Sequence, residues 1–473
     1  MGDFLATWYP LVVLLIGIVT VISLIIVARL NAFVALITSA MLVSLLSPGP
    51  LAERVSRVAD AFGSAAGKIG IVIAMAAIIG KCLMDSGAAD RIVRSFLKVL
   101  GEKRAPLALL SSGFVLSIPV FFDTVFYLLV PLARSLWKST RKNYMLYILS
   151  IGAGAAITHT LVPPTPGPLL MASEFGVHPG TMILIGGLIG LATAVAIIPV
   201  CMLMNRLMDL PMRPYSGEEE VEPLADDQLP PLWISLLPIV LPVLMISTDT
   251  ITKTLSGRYP DVKELAEVGA YTSIMGNANL ALLLAGGLSM FILMRYRKIS
   301  FVKLAKTSET ALMSGGVIIL ITAGGGAFGA MLREAGISDS IEQLGGATGQ
   351  NMGLAMLALG FGIAVVMKVA QGSSTVAMIV TAGMMASMAS PDPDGVFEPL
   401  KAMLGCHPVY LCTAIGAGSL VGSWMNDSGF WIFSRMSGLT EVETLKAWAV
   451  LLVVIGVFAF GFSLLFATLV PMA

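Results

Sequence analysis

Four polar segments interrupt apolar stretches of this sequence, and they hold the side chains whose types and spacing could do chemistry. The first segment, residues 119–124, ends in Asp123 and Thr124 and has apolar flanks. A carboxylate in apolar surroundings is costly while it is charged, which suits a group that takes up and releases a proton or binds a ligand. The alternative interpretation is a structural acid whose oxygens accept hydrogen bonds from neighbouring amides.

The second segment, residues 158–168, contains four prolines, which forbid a continuous helix. Within it, His159 could hydrogen-bond a hydroxyl or carboxylate of a ligand, or relay a proton. A histidine that is satisfied inside the protein fits the same pattern. Thr160 and Thr165 carry hydroxyls that serve either a ligand or their own backbone.

The third segment, residues 368–375, combines one cation with small hydroxyl residues. Its small residues are Gly372, Ser373, Ser374 and Thr375. A helix that begins at Ser374 would present backbone N–H groups and the positive end of its dipole to an anion. Lys368 would attract a ligand carboxylate or neutralise a buried acid. The alternatives are a side chain that reaches the membrane interface and a static ion pair.

The fourth segment, residues 418–431, offers amide, carboxylate and hydroxyl groups that suit a chain of hydroxyls. These groups belong to Asn426, Asp427 and Ser428. Asp427 is the second candidate for proton coupling beside Asp123. Its alternative role is the N-cap of a following half-helix.

The composition places these segments in a membrane protein. Of 473 residues, 56% are hydrophobic and 12% charged, with a mean hydropathy of +0.89. A soluble domain could not bury that much apolar surface. The four cysteines and three histidines show no CxxC or HExxH spacing, and no GxSxG occurs. We therefore expect no metal, cofactor or enzymatic nucleophile, and the net charge of zero gives no reason to expect a nucleic-acid partner.

Apolar runs long enough to cross a hydrocarbon core of about 30 Å predict ten crossings. They lie at residues 9–28, 30–47, 69–86, 143–170, 180–205, 232–249, 274–294, 313–332, 405–434 and 446–470. Two further apolar segments, 106–135 and 352–390, are interrupted midway by the first and third polar segments. Each predicts a re-entrant hairpin.

Basic residues test this topology. They cluster at 87–104 and 134–142, on either side of the first hairpin, so both segments should be cytoplasmic. A hairpin satisfies that requirement because it enters and leaves on one side. The segments 333–350 and 391–404 hold one basic residue each and should face outward, as should both termini.

The sequence also repeats itself. Three pairs of segments match in the same order, namely 87–92 with 336–341, 123–125 with 374–376, and 149–155 with 413–419. Because each half holds an odd number of crossings, the second copy must be inverted.

The sequence therefore predicts an all-α polytopic membrane protein with two inverted repeats, each of five crossings plus one re-entrant hairpin. The first repeat covers residues 1–205 with its hairpin at about 106–135, and residues 206–231 form a cytoplasmic linker. The second repeat covers residues 232–473 with its hairpin at about 352–390. Paired discontinuous helices are typical of secondary transporters and indicate where the binding site lies.

At these breaks the sequence resembles the gluconate/proton symporter family. The resemblance rests on IPVFFDTVF at 118–126, HTLVPPTPGP at 159–168, VAQGSSTVA at 369–377 and NDSGFW at 426–431. It implies uptake of gluconate, related hydroxy acids or D-serine, and a homodimer in which scaffold helices hold a moving unit with two hairpins. Two residues depart from the family pattern, since Lys368 stands where arginine is expected and Ser374 where alanine is expected.

We accordingly expect a symporter of the bacterial inner membrane that carries gluconate or a similar small hydroxy-carboxylate with protons by elevator-like alternating access. The alternatives are a D-serine or glycerate permease and a sodium-coupled carboxylate transporter.

Overall fold

The computed structural model describes residues 2–101, 104–208, 210, 212–213, 224–259, 262–336, 352–388, 396–425 and 427–472. Apart from short turns, the regular elements of these ranges are helices. Several sequence predictions lie wholly or partly outside the described residues, namely Asn426, most of the 206–231 linker, most of the 333–350 segment with its repeat match at 336–341, and part of the 391–404 segment.

Before the linker the chain forms nine helices in the described ranges. They are α1 (Gly2–Ile26), α2 (Ala32–Leu46), α3 (Ser56–Ser86), α4 (Ala88–Leu100), α5 (Ala105–Leu116), α6 (Phe122–Thr140), α7 (Tyr144–Leu161), α8 (Pro166–Glu174) and α9 (Pro179–Leu207).

After the linker a similar series follows. It comprises α10 (Leu232–Arg258), α11 (Lys263–Met275), α12 (Ala278–Arg297), α13 (Phe301–Glu334), α14 (Met352–Gln371), α15 (Ser374–Ala386), α16 (Phe397–Leu404), α17 (Val409–Gly418), α18 (Ser428–Ser437), α19 (Glu441–Thr444) and α20 (Val450–Leu469). A π-helical turn, Leu445–Ala449, joins the last two.

Seven stretches of the described chain are long and apolar enough to cross a membrane. They are Ser56–Ser86, Tyr144–Glu174, Pro179–Leu207, Leu232–Lys253, Ala278–Arg297, Phe301–Glu334 and Glu441–Leu469. The other predicted crossings, at 9–28, 30–47 and 405–434, coincide with shorter apolar helices. The chain is thus a multi-pass membrane protein, as its composition predicts.

Both predicted hairpins are broken where the sequence indicates. Residues 117–121 separate α5 from α6, and Gly372 and Ser373 separate α14 from α15. Gly372 has a φ of 81°, which glycine adopts without strain. The arms α5 and α15 have 12 and 13 residues, too few to cross a bilayer at 1.5 Å per residue.

Glycines in the segments 149–155 and 413–419 allow one arm of each hairpin to pack closely against the broken helix of the same half. A Cβ on Gly154 of α7 would lie 2.1 Å from the Leu110 carbonyl oxygen of α5, and one on Gly418 of α17 would lie 2.3 Å from the Phe361 carbonyl oxygen of α14. Only glycine permits these approaches. In each half the glycine motif therefore lets a hairpin arm approach a broken helix closely.

The structure differs from the sequence prediction around residues 249–278. The helix predicted to end at 249 continues to Arg258, and the crossing predicted to begin at 274 begins at Ala278 after a separate helix, α11. A Cβ on Gly276 would lie 2.3 Å from the Asp249 Cβ, so α10 and the end of α11 approach closely there. Hydropathy alone does not register such a contact.

The described end of the linker is docked rather than a free tether. The Arg94 guanidinium of α4 binds the Asp226 carboxylate at 2.5 Å and the Leu224 carbonyl at 2.7 Å. This hydrogen bond lowers the pKa of Asp226 from its usual value. The amphipathic helix α4, in the segment predicted to be cytoplasmic, thus holds the linker.

Candidate functional site

All four polar breaks meet at one cavity of about 330 Å³. Its polar lining consists of Asp123, Thr124, His159, Thr160, Ser314, Lys368, Ser373, Ser374, Thr375, Asp427 and Ser428. Three helices, α6, α15 and α18, have their N-terminal turns in this lining. Their first backbone N–H groups lack partners within the helix, and their dipoles favour negative charge, so the cavity suits an anion.

A buried ion pair crosses the cavity wall. Lys368 Nζ lies 2.8 Å from Asp427 Oδ2, and both residues are less than a tenth exposed. Lys368 also donates to the Gly372 carbonyl, so its ammonium group is hydrogen-bonded to the turn at the tip of the second hairpin. An ammonium has three N–H donors, so one remains for a ligand.

Asp427 has further hydrogen-bond partners. Its Oδ1 accepts from the Gly429 N–H at 2.9 Å, which makes it the N-cap of α18. The Ser423 hydroxyl donates to Oδ2. Asp427 is thus bound by a cation, a hydroxyl and a backbone N–H. It lines the cavity and is also the N-cap of α18.

Asp123 is placed differently. It lies in the first turn of α6, and its side chain makes no ion pair or hydrogen bond with another described residue. Its charge is therefore compensated only by the N-terminal end of α6. Of the two acids in the cavity, this is the one without a fixed cation.

His159 lies at the end of α7 with its ring edge-on to Phe121 at 6.3 Å between centroids. Neither ring nitrogen hydrogen-bonds to a described residue, and Nδ1 is buried. A neutral imidazole has one donor and one acceptor, and here both lack protein partners in the described chain. The satisfied interior histidine considered from the sequence does not match this arrangement.

The hydroxyl residues divide into two groups. Ser373 caps α15 by accepting from the Val376 N–H at 3.3 Å, while Ser374 and Thr375 follow it along the cavity wall. Thr160 lines the cavity too, but its hydroxyl donates to the Ala156 carbonyl of its own helix at 3.1 Å.

Two predicted residues do not line the cavity. Thr165 caps the start of α8 and is buried away from it, since its hydroxyl donates to the Val162 carbonyl at 2.7 Å. Gly372 contributes its carbonyl to Lys368 rather than a surface to the cavity. The described residues also hold no group of three or more His, Cys, Asp or Glu side chains suited to a metal ion.

Sequence reasoning missed several residues of the cavity wall. Ser314 of α13 lies in an unbroken apolar helix, so no local pattern singles it out. Phe122 and Trp448 form an aromatic side of the cavity with centroids 5.0 Å apart. Phe122 could have been predicted to line the cavity because it is adjacent to Asp123. Trp448 could not, because it lies in a π-helical turn that is distant in sequence.

Comparison with known proteins places the chain in a family and agrees with its fold. Residues 9–470 match the model of the GntP family permease. A gluconate permease of Zymomonas mobilis is 32% identical over 440 residues, covering 92% of this chain and 93% of the relative. An L-idonate transporter of Escherichia coli is 28% identical over 443 residues, covering 93% and 95%. The crystal structure of the YdaH transporter of Alcanivorax borkumensis superposes with a TM-score of 0.59 at 13% identity, covering 93% of this chain and 98% of that one, which shows a shared fold.

The broken helices of this multi-pass membrane protein meet at one polar cavity, and the family and relatives it matches are permeases, so the chain is a transporter and not an enzyme. More particularly, the chain belongs to the GntP permease family.

Proposed function

We propose that this protein takes up gluconate or a similar small hydroxy-carboxylate, coupled to protons, through the bacterial inner membrane. The observation that carries the proposal is the single cavity of about 330 Å³ in which a lysine, three helix N-termini and unpartnered polar groups converge. Relatives named for gluconate and L-idonate, both polyhydroxy acids, support that substrate class.

The charges of the cavity favour proton coupling. Lys368 and Asp427 neutralise each other, and Asp123 adds one uncompensated negative charge. A substrate carboxylate entering beside ionised Asp123 would meet like-charge repulsion in a region that excludes much of the water. Protonation of Asp123 removes that repulsion. The proton therefore binds before the anion, and Asp123 carries it in preference to Asp427.

The remaining polar groups of the cavity bind either the carboxylate or the hydroxyls of the substrate. The free N–H of Lys368 and the N-terminal turn of α15 bind the carboxylate. His159, Thr375 and Ser428 are positioned at the cavity to hydrogen-bond the hydroxyl chain. A site built to satisfy hydroxyls rejects analogues that lack them, because its own buried polar groups would lose partners.

An inverted-repeat organisation is supported by the packing of the helices. Three contacts have a counterpart under the repeat. The contact of α1 with α2 corresponds to that of α10 with α12, and the contact of α7 with α9 corresponds to that of α17 with α20. The contact of α6 with α18 corresponds to that of α15 with α8. The matched segments 87–92 and 336–341 give the same register, with α3 equivalent to α13. We take residues 1–205 and 232–473 as the two repeats.

One difference between the halves supports alternating access. In the second half, the hairpin arm α15 packs against α13. A Cβ built on Gly329 of α13 would lie 2.7 Å from the Gly383 Cα of α15. In the register of the repeat, Gly80 of α3 is the equivalent of Gly329. It has no such contact with α6, and its nearest neighbour is Val120, 3.5 Å from a Cβ built there. The packing at Gly329 is thus tighter than the packing at Gly80, which supports a transporter with one end closed and the other open.

An ion pair reinforces the closed side. Arg333 of α13 lies 3.2 Å from Glu174 at the end of α8, and Glu174 is 9% exposed. By the distribution of basic residues this side faces outward. The helices with the site residues, α5–α8 and α14–α18, would move as a unit against α2, α3, α12 and α13 in a homodimer.

The substrate class is tested with purified protein in liposomes loaded with gluconate. Counterflow of radiolabelled gluconate is measured in competition with L-idonate, glycerate and D-serine. We expect the polyhydroxy acids to compete and D-serine to compete weakly, since its ammonium adds a cation beside Lys368. Stronger competition by D-serine than by L-idonate would contradict the proposal.

A further inference from the structure

A second cavity of about 110 Å³ lies next to the first. Both are lined by Phe121, Thr124 and Ser314, so the two spaces adjoin around the Phe121 ring. The second cavity lies between the tip of the first hairpin and the helices α3 and α13. The end of α3 that lines it leads into residues 87–104, the segment predicted to be cytoplasmic.

The lining of this second cavity is built for an anion in transit. Its one charged residue is Lys81, on the last turns of α3, and Thr310 and Ser314 line it from α13, where the Thr310 hydroxyl donates to the Lys306 carbonyl of its own helix at 3.0 Å. The walls between them are small apolar residues such as Ala77 and Gly80. A compact polar end of a substrate fits there, whereas the larger main cavity holds the whole molecule.

The present partner of Lys81 is weakly held. Lys81 Nζ lies 2.8 Å from Asp85 Oδ1 one turn away, with side chains 38% and 33% exposed. Such a pair contributes little to stability, so a substrate carboxylate can replace Asp85 at low cost. Arg297 donates to the Asp85 carbonyl at 2.9 Å and adds a second positive charge at this end.

We propose that this second cavity is a transit subsite for the substrate carboxylate on its way between the main site and the cytoplasm, with Lys81 as its anion-binding group. The inference rests on the proposed function. The outward side is closed by the contact of Gly329 with Gly383, so the space around Lys81 is the route left open to the substrate. Phe121 divides the route from the main site.

The test uses radiolabelled gluconate and the full-length protein. Lys81→Gln should lower the maximal rate of uptake into proteoliposomes by about fivefold, the size expected of one exposed charge interaction. Equilibrium binding of gluconate to the purified variant should stay at the wild-type value, and Lys81→Arg should restore most of the rate. Lys98→Gln is the matched control, because Lys98 is exposed on α4 at the same predicted side and lines neither cavity.

A second variant keeps the test decisive if Lys81→Gln folds poorly. Thr310 is exposed and lines only the second cavity, so Thr310→Trp should fill that space, slow uptake and leave gluconate binding unchanged. Wild-type rates in Lys81→Gln, or in Thr310→Trp where the first variant cannot be purified, would overturn the subsite. A loss of gluconate binding in parallel with uptake would also overturn it. If the wild type neither binds nor transports gluconate, the proposed function itself fails, and the subsite with it.

Discussion

Lys368 Nζ lies 2.8 Å from Asp427 Oδ2, joining the tip of the second hairpin to the break between α17 and α18. This pair leaves Asp123 as the acid of the cavity that no described cation compensates. The proposed order of binding, proton first and anion second, depends on that relationship.

Loss of the lysine should cost both stability and binding. Lys368→Met leaves the Asp427 charge buried without its partner, so we expect the free energy of unfolding to fall by about 3–5 kcal/mol and gluconate binding to be lost. Thermal unfolding in detergent and equilibrium binding measure the two effects.

A double variant separates them. Lys368→Met with Asp427→Asn removes both charges and keeps a capping side chain, so stability should largely recover while gluconate binding does not. Lys368→Arg keeps the positive charge and should retain both stability and gluconate binding, because arginine is the residue expected at this position in the gluconate/proton symporter pattern. Wild-type gluconate affinity in Lys368→Met would show that the lysine is only structural.

Replacement of Asp123 should uncouple transport. The proposed mechanism has gluconate bind when Asp123 is protonated, so the apparent KM of the wild type should rise as increasing pH removes that proton. Asp123→Asn mimics the protonated form and should retain gluconate exchange while losing accumulation against a gradient. The KM of the variant for exchange should be independent of pH. Unchanged accumulation would remove Asp123 from the proton pathway.

Much of this site could be predicted from the sequence because its backbone breaks are local events. The closely spaced prolines at 163–168 and the glycine at 372 end helices here, although isolated prolines lie inside α6, α9 and α10, and polar residues inside apolar runs mark the same positions. Those signals located Asp123, His159 and Lys368. The repeat of glycines indicated that the breaks belong together.

The contacts between residues far apart in the sequence could not be predicted from such local signals. Lys368 and Asp427 are far apart in sequence, and nothing near either residue specifies which acid the lysine meets. Thr165 looked like a ligand by its neighbours, yet the turn before α8 uses its hydroxyl. Ser314 and Trp448 join the cavity only through tertiary packing, which hydropathy and spacing do not record.

Two threonine variants test which predicted hydroxyl residue contacts the ligand and which stabilises local structure. Thr375→Val removes a hydroxyl that lines the cavity and should raise the KM for gluconate by about fivefold, as expected for one lost hydrogen bond. Thr165→Val should leave that KM unchanged and lower the free energy of unfolding by about 1 kcal/mol, because its hydroxyl stabilises the turn before α8. Kinetics and thermal unfolding of both variants distinguish ligand contact from local structure. Equal effects on KM would contradict the placement of Thr165.

Glycine substitutions on α13 test the closed outward side. Gly329→Ala places a Cβ 2.7 Å from the Gly383 Cα and should destabilise the closed packing of α13 on α15 by about 1–3 kcal/mol. Uptake should slow because the transporter closes less readily. Gly316→Ala on the same helix meets nothing within 4 Å and should be neutral or stabilising by about 1 kcal/mol. Equal rates in the two variants would argue against a moving contact at Gly329.

The most direct test of the central claim is accumulation of radiolabelled gluconate in proteoliposomes with an imposed pH gradient, acidic outside, and the membrane potential held at zero. We predict transient accumulation above the external concentration that a proton uncoupler abolishes, that sodium does not alter, and that Asp123→Asn lacks. Accumulation that follows a sodium gradient and ignores the uncoupler would contradict proton coupling through Asp123.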